Sequence, residues 1–179
     1  MTVAATSHPY DEVADKYDRL WSTPEALAED KEIMQSLRYD GGSVLDIGCG
    51  TGLFLEHYPD CSEYLGIDPS ARMLKRLTTK FGERELLCDT FEASYERLAS
   101  RRFDLVISLF GSPDYIEPEA LAKAPLLLKP GGKLVFMFLA PGYDPVTHRH
   151  ISNPPQTFSH LPEIYGKARR FGNYVVARA

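Results

Sequence analysis

Hydrophobic positions along the chain change period as it proceeds. Over residues 8–20 Val13, Tyr17 and Leu20 recur at helical spacing. Pro24, set just behind Ser22 and Thr23, opens a second predicted helix over 24–38, because proline suits the first turn and a hydroxyl side chain caps it. From residue 43 short β-rich runs alternate with helical stretches. Strands are predicted at 43–47, 63–67, 84–88, 103–109 and 133–140, with helices near 51–58, 70–80, 91–99 and 117–128 between them. The strand runs are apolar on both faces, which calls for a parallel sheet covered by helices on both sides.

Lys129-Pro-Gly-Gly132 reads as a turn that ends the last of these helices and opens the fifth strand. Tyr174 to Ala177 reads as a closing strand at the C-terminal end. Between them, Pro141 to about Gly166 is broken by six Pro and Gly residues into irregular chain. It leaves the carboxyl end of the fifth strand, the edge at which open α/β sheets bind ligands, so it is expected to form part of a site wall.

Composition narrows the class. With 179 residues and 44% hydrophobic content the chain can bury one sizeable core, and it reads as a single globular domain. The net charge of −5 argues against wholesale wrapping by a polyanion. Its distribution is uneven: residues 1–40 hold nine acids against four Lys/Arg, whereas residues 145–179 hold one acid against five. Only the C-terminal end could attract phosphate. Three cysteines, Cys49, Cys61 and Cys88, lack C-x-x-C spacing and read as free thiols in small apolar roles; no metal is expected. The longest apolar run, Leu134 to Ala140, is far too short for a membrane span, and the N-terminus lacks a basic region followed by an apolar one. A soluble, cytoplasmic protein is expected.

The chemistry gathers at Val44-Leu-Asp-Ile-Gly-Cys-Gly-Thr-Gly52. Gly48, Gly50 and Gly52 make a tight strand-to-helix turn whose bare backbone lets N–H groups approach a ligand closely. Asp68 closes the second strand and is placed to accept both hydrogen bonds from a ribose diol. Pro69 and Ser70 behind it also mark a helix start. A dinucleotide fold is disfavoured by Asp46, since an acid in the strand before the turn would repel a pyrophosphate. Asp46 suits a cationic ligand. Adenosine at one end with an α-ammonium and a sulfonium at the other describes S-adenosylmethionine.

These segments resemble the motifs of class I S-adenosylmethionine-dependent methyltransferases. Residues 44–52 look like the first motif and Gly66-Ile-Asp-Pro-Ser-Ala-Arg-Met-Leu74 like the second. Cys88-Asp-Thr-Phe-Glu92 is similar to the third, Phe103-Asp-Leu-Val-Ile-Ser108 to the fourth, and Leu126 to Val135 to the segment before the fifth strand. Tyr10-Asp-Glu-Val-Ala-Asp-Lys-Tyr-Asp18 resembles the N-terminal helix of the branch that methylates small molecules. The resemblance implies a three-layer, Rossmann-like α/β fold with a mostly parallel seven-stranded sheet. Its sixth strand falls within 166–171, with bounds that the residues leave open. It also divides the domain 1–179 into an N-terminal helical cap (1–40), a cofactor-binding core (41–140) and a substrate-side loop with the C-terminal strand (141–179).

By position, the resemblance gives Asp46 and the turn Gly48-Cys49-Gly50 to Gly52 the amino-acid end of the cofactor, and Asp68 with Pro69 the ribose. Met73, Asp89, Thr90 and Phe91 take the adenine, and Ser108 the methionine portion, with Tyr17 covering it. Met73 and Phe91 read equally as core packing. Methyl transfer needs in-line placement and a dry site more than a catalytic group. Where the acceptor must lose a proton, His148, His150 and Asp114 are candidate bases.

Ser112-Pro-Asp-Tyr115 is close to the [DNS]-P-P-[FYW] motif of amino-methyltransferases acting on nucleic-acid bases, and adds Tyr115 to the candidates. It lacks the second proline and starts four residues past Ser108; a plain turn is the alternative. Three readings follow: a methyltransferase for O, N or C atoms of a small molecule, one for nucleotides or nucleic acid, and a non-catalytic S-adenosylmethionine-binding domain. A partner subunit completing the acceptor pocket is a further expectation, because the chain beyond the fifth strand is short.

Overall fold

The computed structural model describes residues 7–158 and 168–179. Seven strands form one sheet: β1 Val44–Ile47, β2 Tyr64–Ile67, β3 Glu85–Leu87, β4 Phe103–Ser108, β5 Leu128–Leu139, β6 Arg169–Phe171 and β7 Tyr174–Arg178. Their order is β3-β2-β1-β4-β5-β7-β6. The first five run parallel; β7 lies antiparallel to β5, and β6 antiparallel to β7. The helices are α1 Tyr17–Leu20, α2 Pro24–Leu37, α3 Leu53–His57, α4 Ala71–Phe81, α5 Phe91–Leu98 and α6 Pro118–Leu121. This is the expected Rossmann-like methyltransferase architecture.

Period-two alternation in the strands builds two cores. Val44, Leu105, Ile107, Val135 and Met137 pack with α2 (Ile33, Met34, Leu37), α3 (Phe54, Leu55) and Leu77 of α4. Their strand neighbours Leu45, Ile47, Val106, Leu134, Phe136 and Phe138 pack on the other side with Phe91 and Leu98 of α5 and Leu121 of α6. Each such side chain stabilises the fold by about 1.5–3 kcal/mol through burial, so a rigid sheet edge is available to carry a site. Hydroxyl caps start the helices that face that edge: Thr23 accepts from Ala26 N–H, Ser70 from Met73 N–H and Thr90 from Ala93 N–H. No helix among the described residues is long and apolar enough to cross a membrane.

The structure corrects three sequence expectations. Residues 8–20 are not one helix: Pro9–Glu12 is a 3-10 turn, Val13–Lys16 a bend, and only then does α1 begin. The break buries Val13 and Ala14 against Met73 and frees the Asp11 carboxylate to accept from the Ser70 hydroxyl and Arg72 N–H, at 2.6 and 3.1 Å. Residues 117–128 split into α6 and a 3-10 turn at Ala124–Leu127, because Pro125 removes an N–H that a continuous helix needs. Lys129-Pro-Gly-Gly132 lies inside β5 as an irregularity. Leu128 pairs with Phe103, after which the register shifts so that Leu105 faces Lys133. Gly132 is pressed against the Phe103 and Asp104 carbonyls, where a side chain would crowd them.

The last edge strands answer the question left open by the sequence. β6 falls within the expected 166–171 and pairs only with β7. Of the irregular stretch beyond β5, residues 159–167 lie outside the described residues.

Candidate cofactor and acceptor site

Strand order reverses between β2 and β4 on either side of β1, which makes the carboxyl end of β1 the topological switch point. The chain leaves β1 through Gly48 and Gly50, both left-handed at φ 75° and 53°. The N–H groups of Gly48 and Cys49 both donate to the Ile67 carbonyl, at 2.7 and 3.0 Å, which ties the turn to the end of β2. A Cβ on Gly48 would stand 2.5 Å from that of Ser112, so glycine permits the close approach of the segment after β4. The Ser112 hydroxyl seals it by donating to the Gly48 carbonyl at 3.2 Å. Gly52 does something else. It packs against Phe81 and Leu77 of α4, and neither cavity described below touches it.

Two acids frame the turn. Asp68 accepts from Gly50 N–H at 2.9 Å and Ser70 N–H at 2.8 Å, one on each oxygen. Burial pushes its carboxyl up to about 6 against the pull of those two donors. Asp46 accepts from the Tyr64 hydroxyl at 2.9 Å, and burial pushes it up to about 7, with the Asp68 charge adding to the rise. Both carboxylates sit in the cleft with no cation among the described residues paired to them.

Two cavities open on the turn from opposite sides and share Tyr17, Gly48, Gly50, Phe110 and Ser112. The first, of about 160 Å³, runs over Asp68 and Pro69 between Ile47, Ile67, Met73 and Phe91, and ends at Asp89 and Thr90. The second, of about 120 Å³, holds Asp46, Cys49 and Thr51 on the turn side and residues of α1, α2 and β7 on the other. Phe110, which has a positive φ of 52°, stands where the two meet.

Residues 44–132 match the family model of a methyltransferase domain. An uncharacterized methyltransferase of Geobacillus sp. is 30% identical over 71% of this chain and 61% of its own length. A ubiquinone biosynthesis O-methyltransferase of Rhodopseudomonas palustris is 32% identical over 53% of this chain and 39% of its own. Among solved structures, the DhpI–SAH complex aligns over 94% of this chain and 91% of that one, with a TM-score of 0.68 at 15% identity, a likeness of fold. The chain belongs to the class I S-adenosylmethionine-dependent methyltransferases. It spans about half the length of the curated relatives it matches.

The residues present fit the cofactor of this methyltransferase family. Each Asp68 oxygen keeps a lone pair beyond the one given to Gly50 or Ser70, enough for one hydroxyl of a diol apiece. Met73 and Phe91 are almost fully buried yet line the larger cavity, so they are core residues whose edges form its floor. Asp89 is turned partly away, accepting from Thr90 N–H at 3.0 Å and Arg97 at 3.1 Å. Tyr17 lies at both cavities. Ser108 lines neither: it is fully buried and donates to the Ile47 carbonyl at 2.8 Å, holding β4 to β1 beneath the site.

The candidate bases separate. Asp114 is buried, accepts from Leu139 N–H at 2.7 Å and lines neither cavity; it anchors the end of β5. His150 is exposed and lines neither cavity. Tyr115 lines the larger cavity, with its hydroxyl 3.0 Å from that of Tyr10 and 2.7 Å from His148 Nε2, and His148 Nδ1 meets Asp144 at 2.9 Å. This chain of groups clasps the N-terminal segment to the stretch after β5.

Tyr10, Trp21, Glu29, Asp30, Phe110 and Tyr174 were not read as site residues. Tyr10 opens the quoted N-terminal motif and had a signal. The others reach the site only through tertiary placement of α2 and the strand ends.

Proposed function

We propose that this methyltransferase domain transfers a methyl group from S-adenosylmethionine to a small-molecule acceptor. One observation carries the reading: a cavity with a diol-accepting carboxylate and a second, small cavity meet at one glycine turn, across five shared residues. Asp68 would hold the ribose, and Met73, Phe91, Asp89 and Thr90 the adenine. Asp46 and the backbone of residues 48–50 would hold the amino-acid end. The cofactor supplies a methyl group already bonded to a sulfonium, so the chain's task is to place the acceptor in line and exclude water. Tyr17 and Phe110, at the junction, are the side chains placed to do both.

A nucleic-acid base as acceptor is less well supported. Ser112 to Tyr115 forms a 3-10 turn whose polar groups are already engaged: Ser112 with Gly48, Asp114 with Leu139 N–H, and Tyr115 with Tyr10 and His148. No free pair of acceptors remains there for an exocyclic amine. The decisive experiment is transfer of a labelled methyl group to pooled metabolites and to nucleic acid in parallel. Label on small molecules is expected; label confined to nucleic acid, or cofactor binding with no transfer to either pool, would reject the proposal.

A further inference from the structure

The smaller cavity is walled by acids and rings, and among the described residues no lysine, arginine or histidine lines it. Its five carboxylates differ in what already answers them. Asp46 accepts from the Tyr64 hydroxyl, Asp18 and Glu56 both pair with Lys80, and Glu29 accepts from the backbone N–H of Asn173. Asp30 has neither a hydrogen bond nor an ion pair among the described residues, while Glu29 and Glu56 add their charges nearby. Burial, and then those two neighbours, push its carboxyl up to about 7. Trp21 lines the same cavity, while its indole N–H is buried out of the open space with no acceptor among the described residues.

One carboxylate is therefore left unanswered in the cavity wall. A carboxylate in a concave, partly desolvated wall concentrates negative potential and raises the local concentration of cations. Aromatic walls, here Tyr17, Trp21, Phe54, Phe110 and Tyr174, favour a cation over an anion by the same sign of interaction. A carboxylate or phosphate acceptor would instead enter against the unpaired Asp30, with no lysine, arginine or histidine among the described lining residues to receive it.

Resting on the methyl-transfer reading above, we infer that the acceptor is a small organic amine, docked as its ammonium form against Asp30 within the aromatic walls. The chemistry balances without a further reagent. The ammonium gives one proton to the Asp30 carboxylate and thence to solvent. The freed nitrogen lone pair then forms the C–N bond as the C–S bond breaks, its electron pair remaining on sulfur. Asp30 touches the substrate in this account and is a catalytic residue for its deprotonation.

The test uses the whole chain saturated with S-adenosylhomocysteine, so that binding is read without turnover. The probes are small hydroxyamines such as 2-amino-1-phenylethanol and 2-aminoethanol, each paired with the alcohol and the carboxylate of the same carbon skeleton. The amines are expected to bind at least about tenfold more tightly than either partner. Asp30→Asn is expected to abolish that preference while S-adenosylmethionine affinity stays within about twofold.

Equal or tighter binding of the alcohols or carboxylates overturns the inference, as does absence of saturable binding by every amine. Loss of S-adenosylmethionine affinity in Asp30→Asn also overturns it, since Asp30 would then serve the cofactor's own ammonium. If a labelled methyl group reaches only non-amine acceptors, this inference falls and the proposed function stands. If it reaches none, the proposed function falls.

Discussion

Replacing Asp30 by asparagine should make the ligand-free protein more stable at neutral and alkaline pH. The substitution keeps the shape of the side chain and removes a charge that no hydrogen bond or ion pair among the described residues answers. The rise of its carboxyl from 3.8 to about 7 corresponds to ~4 kcal/mol at about 1.4 kcal/mol per pH unit. Part of the side chain still faces water, so screening and relaxation reduce that to about 1–2 kcal/mol. Because the folded-state value is raised, folding favours the protonated form. The cost of the charge is absent below about pH 4, grows through the interval, and is complete above about pH 7. For a chain of this size the gain is about 3–6 °C in Tm. Melting curves of the two proteins from pH 4.5 to 8.5 should therefore diverge as pH rises. Glu29→Gln, whose carboxyl is also raised by burial but accepts from Asn173 N–H, should show a smaller gain. A destabilised Asp30→Asn at pH 8, or a gap in Tm that ignores pH, would refute the reasoning.

Other substitutions probe the cofactor side. Asp68→Ala removes the acceptor of Gly50 and Ser70 N–H along with both diol contacts. With charged hydrogen bonds contributing about 1.5–3 kcal/mol each, S-adenosylmethionine affinity by calorimetry should fall at least about 100-fold; an unchanged Kd removes the ribose assignment. Since burial raises Asp68 to about 6, affinity in the parent protein should climb as pH rises from 5 to 7 and then level, and a flat profile would contradict a role for its ionised form. Gly48→Ala forces a side chain into a φ of 75° and to within 2.5 Å of Ser112. About 2–4 kcal/mol of lost stability is expected in urea melts from backbone strain and overpacking, and a loss under 1 kcal/mol would mean the two segments part easily.

What could be read from the chain follows from how local each feature is. The parallel core was legible because Leu45, Ile47, Val106 and Phe136 must be buried on one face while Val44, Leu105 and Val135 are buried on the other. Such doubly apolar runs admit few alternatives. The glycine turn and Asp68 were legible because a strand end, a tight turn and an acid lie at fixed spacing along one segment. Residues 8–20 misled because helical spacing of Val13, Tyr17 and Leu20 says nothing of Asp11, whose bonds to the start of α4 favour a broken segment. The bulge in β5 was hidden for a related reason. Pro130-Gly131-Gly132 is ordinary turn chemistry, and only the crossing backbone of Phe103 and Asp104 makes it part of a strand. Asp30 had no signal at all, being one acid among several on a helix with exposed neighbours.

The acids divide by what surrounds them, and that division separates scaffold from site. Asp104 is held down to about 2 by the Lys129 ammonium and by donors from Ser43, so its charge strengthens the join between β1 and β4. Asp30, Asp46 and Asp68 move the other way, each raised chiefly by burial in cavity walls that hold no cation. Burial alone does not mark a site. Asp114 is raised to about 6 as well, yet it lines neither cavity and spends its carboxylate on Leu139 N–H. The discriminating feature is a raised carboxyl that also faces open space. Asp46 and Asp68 at the glycine turn, with Asp30 and Glu29 on α2, meet that description, and they leave the free protein with an electrostatic cost that a ligand carrying positive charge would relieve. The sulfonium cofactor, with its ammonium placed at Asp46 as proposed, would relieve part of it. Asp30 on α2 is left over, and a second cation, on the acceptor, is the chemistry that would neutralise it.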